Sequence, residues 1–426
     1  MEFLKKLDSD KKRLLENFLS LSILQGVNYI LPLITLPYLV RVLGPEKFGL
    51  IAFAQAFIQY FNILTDYGFN LSATREISIH RKDKEKISEI FSSVMIIKFA
   101  LLILSFIIMT IIVFSFDKFK KDWLIYYLTF GTVVGQILFP VWFFQGMERM
   151  KYITFLNIVA RLIFTISIFI FVHKVSDYIY VPMINSLGFL VVGILSVIII
   201  LRDFKIKFII PNKLALIHHL KEGGYIFISR ISISFYTVSN VFILGLLTSN
   251  TVVSYYSVAE KLINIVRNFY NIILQVMYPF VSRLVTNRKE EALEYVKKEI
   301  KLSMTGGIIV SGLIVFLANP LISSLFGNEF LPSILVLQVL SIIPTITMIS
   351  AIIGQQILLN FRLRRVFTLS IIYPSMFHIP LLILLVKIFS ALGAALAVII
   401  TESLVLLFRL VLLWKKRKDL FKTILA

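Results

Sequence analysis

Cysteine is absent from the 426 residues of this sequence. The chain therefore cannot form disulfide bonds, thiolate metal sites or a thiol nucleophile, although this absence does not identify its compartment. Two phosphate-binding fingerprints are also missing, because there is no GxxxxGK[ST] run and no GxGxxG run. Without a Walker A phosphate loop, we do not expect the protein to hydrolyse ATP itself.

Histidine is scarce, with only five residues. His218 and His219 adjoin on a predicted inner loop, where adjacent side chains of a helix point apart. The other three, His80, His173 and His378, are isolated in the sequence. The sequence therefore predicts no metal site and no cofactor.

Charged residues make up only 16% of the chain, against 58% hydrophobic residues and a mean hydropathy of +0.88. This balance is that of a polytopic membrane protein and not of a soluble globular one. About 20 apolar residues cross the hydrocarbon core as a helix. The sequence thus predicts an all-α membrane protein of about twelve transmembrane helices, at 18–40, 49–73, 90–114, 123–146, 153–173, 179–201, 223–247, 253–283, 302–326, 332–359, 367–388 and 391–413.

Acidic residues are fewer than basic ones, 24 against 44, which gives a net charge of +20. With these spans, 30 Lys and Arg lie in the two tails and in alternate connections, and only 7 lie in the opposite connections. Positive charge beside spans stays cytoplasmic and contacts anionic lipid. We therefore predict that both termini are cytoplasmic, and we do not expect nucleic acid as a partner.

The segment before the first span and the connections between spans give two further predictions. The basic segment 5–13 precedes an apolar run that is too long for a signal peptide and lacks a small-residue cleavage site, so we expect a retained first span. The outer connections are at most about eight residues long, which leaves no room for an extramembrane catalytic domain.

An internal repeat divides the spans into two sets of six, at the long inner connection 202–222. Polar residues of the second and eighth spans match at an offset of 205 residues and form one stripe on each helix: Gln55, Gln59, Asn62, Asp66 and Asn70 match Glu260, Asn264, Arg267, Asn271 and Gln275. We predict two six-helix bundles, 1–205 and 206–426, related as parallel repeats around a central cavity. The alternative is that the stripes only join neighbouring helices through buried hydrogen bonds.

Seven basic residues lie inside the predicted spans, where charge is costly in lipid and faces a cavity or a partner. Lys98, Arg283 and Arg409 lie near an inner boundary and are predicted to anchor the helices by reaching water. The other four are predicted to line a cavity for an anionic head group, since arginine engages phosphate oxygens with two donors; they are Arg161, Arg230, Lys261 and Arg267. Asn62, Asn264 and Asn271 complete the predicted substrate-binding set.

Three carboxylates also lie within the spans: Asp66, Glu260 and Glu402. They either neutralise the embedded cations or couple transport to H⁺ or Na⁺. Local pairing with Lys261 and Arg409 is the alternative for Glu260 and Glu402. Asp66 has no cation within its own span, which makes it the preferred candidate for ion coupling.

Three segments resemble the polysaccharide flippases of the Wzx type, in the multidrug, oligosaccharidyl-lipid and polysaccharide exporter superfamily. They read RVLGPEKFGLIAFAQAFIQYFNILTDYGFNLSATREISIHR (41–81), WFFQGMERMKYIT (142–154) and SNVFILGLLTSNTVVSYYSVAEKL (239–262). The resemblance covers essentially the whole chain. It implies two six-helix bundles around a cavity, in the bacterial cytoplasmic membrane, and a substrate of undecaprenyl-diphosphate-linked oligosaccharide for surface polysaccharide such as O-antigen or capsule.

The expected mechanism is alternating access, in which the hydrophilic part of the substrate crosses through the cavity while the polyprenyl tail stays in lipid. Expected partners are this lipid-linked oligosaccharide and membrane lipids, with H⁺ or Na⁺ and the polysaccharide polymerase machinery left open. Two alternatives remain: a drug or cation antiporter of the same superfamily, and a membrane-embedded glycosyltransferase or polymerase. The short outer connections weigh against the enzyme, so a non-enzymatic transporter is predicted.

Overall fold

The computed structural model describes residues 9–418 and 420–421. The side chains of residues 9–25, 27–30, 229, 232, 233, 235, 236, 276 and 287 lie outside the description. The described ranges are mostly helical and contain no strand. Contacts group the residues into two compact units, which comprise Met1–Lys47 with Ala54–Ile231, and Phe48–Phe53 with Ser232–Ala426. The bundle boundary at 205/206 rests on the sequence repeat and stays a prediction.

The first unit contains most of helices α1 to α9. Residues 48–53 of α1 and the end of α9, from residue 232, belong to the second unit. A 3₁₀ turn at Val175–Ile179 joins α7 to α8. The helices are α1 (Ser9–Asp66), α2 (Phe69–Ile79), α3 (Lys84–Ser115), α4 (Asp117–Lys120), α5 (Trp123–Leu138), α6 (Val141–Gly146), α7 (Met150–Phe171), α8 (Tyr180–Arg202) and α9 (Lys213–Thr237).

The second unit continues with six helices, a 3₁₀ turn at Asn328–Phe330 and a π-helix at Ile352–Leu359. The π-helix directly follows α14 and leads towards the longest helix of this unit. The helices are α10 (Ser239–Leu247), α11 (Asn250–Asn287), α12 (Lys289–Phe326), α13 (Ser333–Leu340), α14 (Ile343–Ala351) and α15 (Arg364–Lys416).

Eight helical segments in the described part of the chain are long and apolar enough to cross a membrane. Two of the longest helices contain a break, at Gly44 in α1 (φ 69°) and at Ser390 in α15 (φ 57°). Both breaks fall in connections predicted between consecutive spans. A continuous helix of 53 residues would extend about 80 Å, against a hydrocarbon core of about 30 Å, so the break at Ser390 divides α15 into two membrane-length pieces. The count of twelve stays a prediction.

Close backbone packing joins α5 to α8 in the first unit. A Cβ atom added to Gly193 would lie 2.6 Å from the Leu138 Cβ and 2.8 Å from the Gly135 carbonyl oxygen. A Cβ atom added to Gly135 would lie 2.6 Å from the Phe189 carbonyl carbon. Small residues at such contacts let membrane helices approach and gain van der Waals contact.

Each unit has its own apolar interior. In the first unit, Phe91 and Phe143 pack edge to face with ring centroids 5.8 Å apart, beside the fully buried Trp142. In the second unit, buried side chains of α11, α12, the π-helix and α15 form one cluster, which includes Leu274, Val296 and Ile357. Large apolar side chains also cover exposed faces, as Phe316 does on α12, and such faces suit contact with lipid.

Candidate functional site

A polar cavity of about 280 Å³ lies within the first unit, walled largely by α1, α3 and α5 to α9. The polar stripe of α1 faces it through Gln59, Asn62 and Asp66, and Asn70 joins them from α2. Its charged and polar lining residues are Gln59, Asn62, Thr65, Asp66, Asn70, Lys98, Gln136, Asn157 and Arg230.

The turn after Asp66 holds this carboxylate beside α9. Tyr67 and Gly68 both have left-handed backbone, with φ of 47° and 81°. A Cβ atom on Gly68 would lie 2.8 Å from the Gly223 carbonyl oxygen, so the turn packs directly on α9. Arg230 lies about two helical turns after Gly223 on α9. Its Nη1 lies 4.0 Å from Oδ2 of Asp66.

Asp66 is thus not isolated, although its own span lacks a cation. Its Oδ1 is buried and has no hydrogen-bond partner among the described residues, and the same holds for Oδ1 of Asn62. Buried polar atoms are normally satisfied, so these acceptors are suited to a ligand, an ion or water within the cavity.

Lys98 lines the same cavity with only 4% of its surface exposed. The prediction that it reaches water as an anchor is therefore wrong, because α3 turns it inward. The described lining of the first-unit cavity contains one carboxylate, Asp66, and two cationic side chains, Lys98 and Arg230.

A second polar cavity, of about 290 Å³, lies within the second unit between α10, α11, α13, α14 and α15. The polar stripe of α11 faces it through Glu260, Asn264, Arg267 and Asn271. The remaining polar lining residues are Thr237, Asn240, Tyr256, Asn268, His378, Thr401 and Glu402.

Arg267 is paired across this cavity. Its Nη2 donates to Oε1 of Glu402 on α15 at 3.3 Å. Glu260 accepts a hydrogen bond from the hydroxyl of Tyr256 at 3.1 Å, one turn earlier on α11. Glu402 thus has a cationic partner on another helix, and whether it also pairs with Arg409 of its own helix stays a prediction.

Arg409 is buried instead of reaching water, with 7% of its surface exposed. Its Nη1 donates to the carbonyl oxygen of Ser350 and, at 2.8 Å, to the Ser350 hydroxyl. Its Nε donates to the Ser370 hydroxyl at 3.4 Å. The predicted anchor therefore ties α14 to α15. Arg283, the third predicted anchor, has an exposed side chain.

His378 is a cavity residue that the sequence did not identify. Its Nε2 lies 2.9 Å from Oδ1 of Asn240, and its Nδ1 lies 2.7 Å from the Thr401 hydroxyl. An amide oxygen can only accept, so the Nε2–H of His378 donates to Asn240, while Nδ1 and the Thr401 hydroxyl form the second hydrogen bond. The network connects α10 with both pieces of α15.

The two cavities use matching parts of the repeat. At the offset of 205 residues, Gln59 corresponds to Asn264, and Asp66 corresponds to Asn271, and all four face a cavity of their own unit. Asn62 corresponds to Arg267 in the same way. Gln55, the first residue of one stripe, and Gln275, the last residue of the other, line neither cavity. The two units thus share the position of the stripe but differ in its charge.

The four cations predicted to bind substrate are distributed differently. Arg230 lines the first-unit cavity and Arg267 the second-unit cavity. Arg161 is half-buried on α7 and Lys261 is exposed on α11, and both lie outside these two linings. Their predicted role in a shared central cavity stays a prediction.

Comparison with known proteins identifies the family. The family model described as "Polysaccharide biosynthesis protein" matches residues 14–285. The chain is 31% identical over 400 residues to the Escherichia coli (strain K12) protein named "Putative O-antigen transporter", covering 94% of this chain and 96% of that protein. This chain belongs to the polysaccharide biosynthesis protein family. The protein of the same name from Shigella dysenteriae is 29% identical over 401 residues, covering 93% and 98% of the two chains.

Solved structures share the fold of this family member. The structure of the lipid II flippase MurJ in an inward closed conformation matches with a TM-score of 0.74 and 16% identity, over 95% of this chain and 89% of that one. An inward-facing multidrug resistance transporter of the MATE family matches with a TM-score of 0.71 and 14% identity, over 96% and 99%. The all-α membrane fold predicted from the sequence is confirmed, and the protein is a multi-pass protein of the bacterial inner membrane.

Proposed function

We propose that this protein is a flippase that moves undecaprenyl-diphosphate-linked oligosaccharide from the inner to the outer leaflet of the cytoplasmic membrane. The observation that carries the proposal is similarity over 94% of the chain to a protein named as an O-antigen transporter. Surface polysaccharide such as O-antigen is assembled from lipid-linked units, and their hydrophilic part has no favourable route through hydrocarbon.

The chemistry of the two cavities supports such a substrate. Each places one arginine among amide side chains that line the same cavity. A guanidinium engages phosphate oxygens with paired donors and keeps its proton, while amides both donate to and accept from sugar hydroxyls. Arg230 and Arg267 are the cations proposed to hold the diphosphate or acidic sugars, and Asn62, Asn264 and Asn271 the amides proposed to contact sugars.

Alternating access is the proposed mechanism, with ion coupling through a carboxylate as its second part. Asp66 is the first candidate for coupling, because one carboxylate oxygen is buried without a partner among the described residues while the other is 4.0 Å from Arg230. Such an oxygen is available to a proton or Na⁺. Glu260 and Glu402 are further candidates in the second-unit cavity.

The test is transport by the purified protein in proteoliposomes. A lipid-linked oligosaccharide is placed in one leaflet, and its arrival in the other is measured with a lectin or enzyme that cannot cross the membrane, with and without imposed H⁺ or Na⁺ gradients. We expect faster exchange than in protein-free liposomes, and a substrate of unchanged mass. A product of altered mass would identify an enzyme, and exchange at the protein-free rate would contradict the flippase.

A second candidate, a drug or cation antiporter, is favoured by one feature. The described lining of the second-unit cavity contains two carboxylates, Glu260 and Glu402, against the single cation Arg267, and an acidic cavity suits a cationic drug. Deletion of the gene distinguishes the two functions, because loss of a flippase removes surface glycan whereas loss of a drug exporter raises drug sensitivity.

A further inference from the structure

Three metal-ligating side chains meet in the first unit, away from both cavities. Glu76 lies on α2, and His218 and His219 lie near the start of α9. The Nε2 of His218 is 2.8 Å from Oε1 of Glu76, and the Nδ1 of His219 is 3.4 Å from Oε2 of the same carboxylate. Each residue offers one possible ligand atom, and these three atoms all lie within 4.8 Å of one another.

The two adjacent histidines converge because they use different nitrogen atoms. His218 reaches Glu76 with its distal Nε2, and His219 with its proximal Nδ1. The sequence predicts no metal pair because neighbouring side chains of a helix point apart, but the carboxylate that both histidines reach lies 142 residues before His218.

The surroundings suit a bound cation. The side chain of His219 is 4% exposed and that of Glu76 19%, whereas His218 is open to solvent at 58%. Metal ions bind the neutral imidazole of histidine together with the ionised carboxylate of glutamate. Two further charged residues that act on His219, Lys86 and Glu89 of α3, are paired with each other at 2.9 Å and so largely offset one another.

We propose that Glu76, His218 and His219 form a binding site for a divalent transition-metal ion of the Zn²⁺ class. Two imidazoles and one carboxylate are a ligand set typical of Zn²⁺, with ligand distances of about 2.0–2.2 Å. Mg²⁺ and Ca²⁺ prefer all-oxygen ligands. A water molecule at the open side, next to His218, completes four-coordination.

The ion would fasten α2 to α9. These helices flank the first-unit cavity, since α2 contributes Asn70 and α9 contributes Arg230. A bound metal stabilises the state that binds it more tightly, here the folded state in which Glu76 joins the two histidines. Metal binding at this position would therefore restrict movement of the helix that carries Arg230.

The test uses the full-length protein in detergent, freed of any polyhistidine tag and of metal by a chelator. Zn²⁺ is titrated by calorimetry, and Co²⁺ by visible absorption, which reports four-coordinate geometry. We expect one ion per chain and a Zn²⁺-dependent rise in the midpoint of thermal unfolding. His218→Ala, His219→Ala and Glu76→Gln are each expected to weaken binding at least about tenfold.

His173→Ala is the matched control, because it removes an exposed histidine outside the cluster and should bind Zn²⁺ as the wild type does. Glu76→Gln keeps the shape of the side chain, so it reports on the site even if a histidine variant folds poorly. Equal binding by wild type and Glu76→Gln, or no binding by either, would overturn the proposal and leave a simple Glu–His contact. Binding is measured without transport, so this result is independent of the flippase assay.

Discussion

Two functions of Arg267 can be separated experimentally: its proposed contact with substrate and its ion pair with Glu402. We expect Arg267→Ala to abolish surface glycan, and we expect Arg267→Ala with Glu402→Gln to remain inactive, because the proposed donor to the diphosphate is lost in both. Loss of the partly exposed pair should lower the free energy of unfolding by only about 1–2 kcal/mol, so membrane abundance is retained.

The measurement is surface glycan per unit of protein in the membrane, in cells that lack the chromosomal copy. Arg283→Ala is the control, because Arg283 lies on the same helix, is exposed and lines neither cavity. If Glu402→Gln restores glycan to the Arg267→Ala variant, then Arg267 serves only to balance the carboxylate, and the substrate contact is excluded.

Individual charges illustrate what a sequence can and cannot predict. The stripe containing Asn62 and Asp66 was predicted because residues of one helix face recur at a local period. Lys98, His378 and Arg409 were misjudged because their surroundings come from distant segments. The partner of His378 on α10, for instance, lies 138 residues away, and depth along a span does not fix the direction in which a side chain points.

At the level of helices, the contact of α5 with α8 depends on the absence of side chains at Gly135 and Gly193. Gly193→Ala is expected to lower the free energy of unfolding by about 1–3 kcal/mol, because its Cβ would meet a carbonyl oxygen that cannot rotate away. Gly312→Ala on α12 is the matched control, since a Cβ atom there meets nothing within 4 Å.

Thermal unfolding in detergent distinguishes the two glycine variants. The Gly312→Ala variant should be as stable as the wild type or more stable by up to about 1 kcal/mol, since alanine is the better helix former. Equal stability of both variants would show that α5 and α8 do not approach each other as closely as described.

Helix existence was predictable from the sequence, whereas helix breaks were only partly so. Apolar windows of about 20 residues identify spans without any tertiary information. The break at Gly44 falls where glycine adopts a positive φ readily. The break at Ser390 has no such local signal, because serine at φ 57° is held there by its surroundings. The π-helix at Ile352–Leu359 was likewise not foreseen.

The distribution of basic residues predicts the orientation of the entire chain, and the lack of cysteine makes that orientation directly testable. Any cysteine introduced into this protein would be its single thiol. Lys82 and Lys121 are suitable positions, because both lie exposed on turns of the first unit, in connections predicted to be on opposite sides of the membrane.

We expect Lys121→Cys to react with a membrane-impermeant maleimide in intact spheroplasts, and Lys82→Cys to react only after the membrane is permeabilised. The reason is the split of 30 against 7 basic residues, since translocating the richer set of connections is strongly disfavoured. The unmodified protein controls for labelling of other groups. The opposite pattern would show that the protein has the inverse orientation, with Glu76, His218 and His219 on the outer side of the inner membrane. The proposed metal bridge would then respond to Zn²⁺ on that side instead of the cytoplasmic pool.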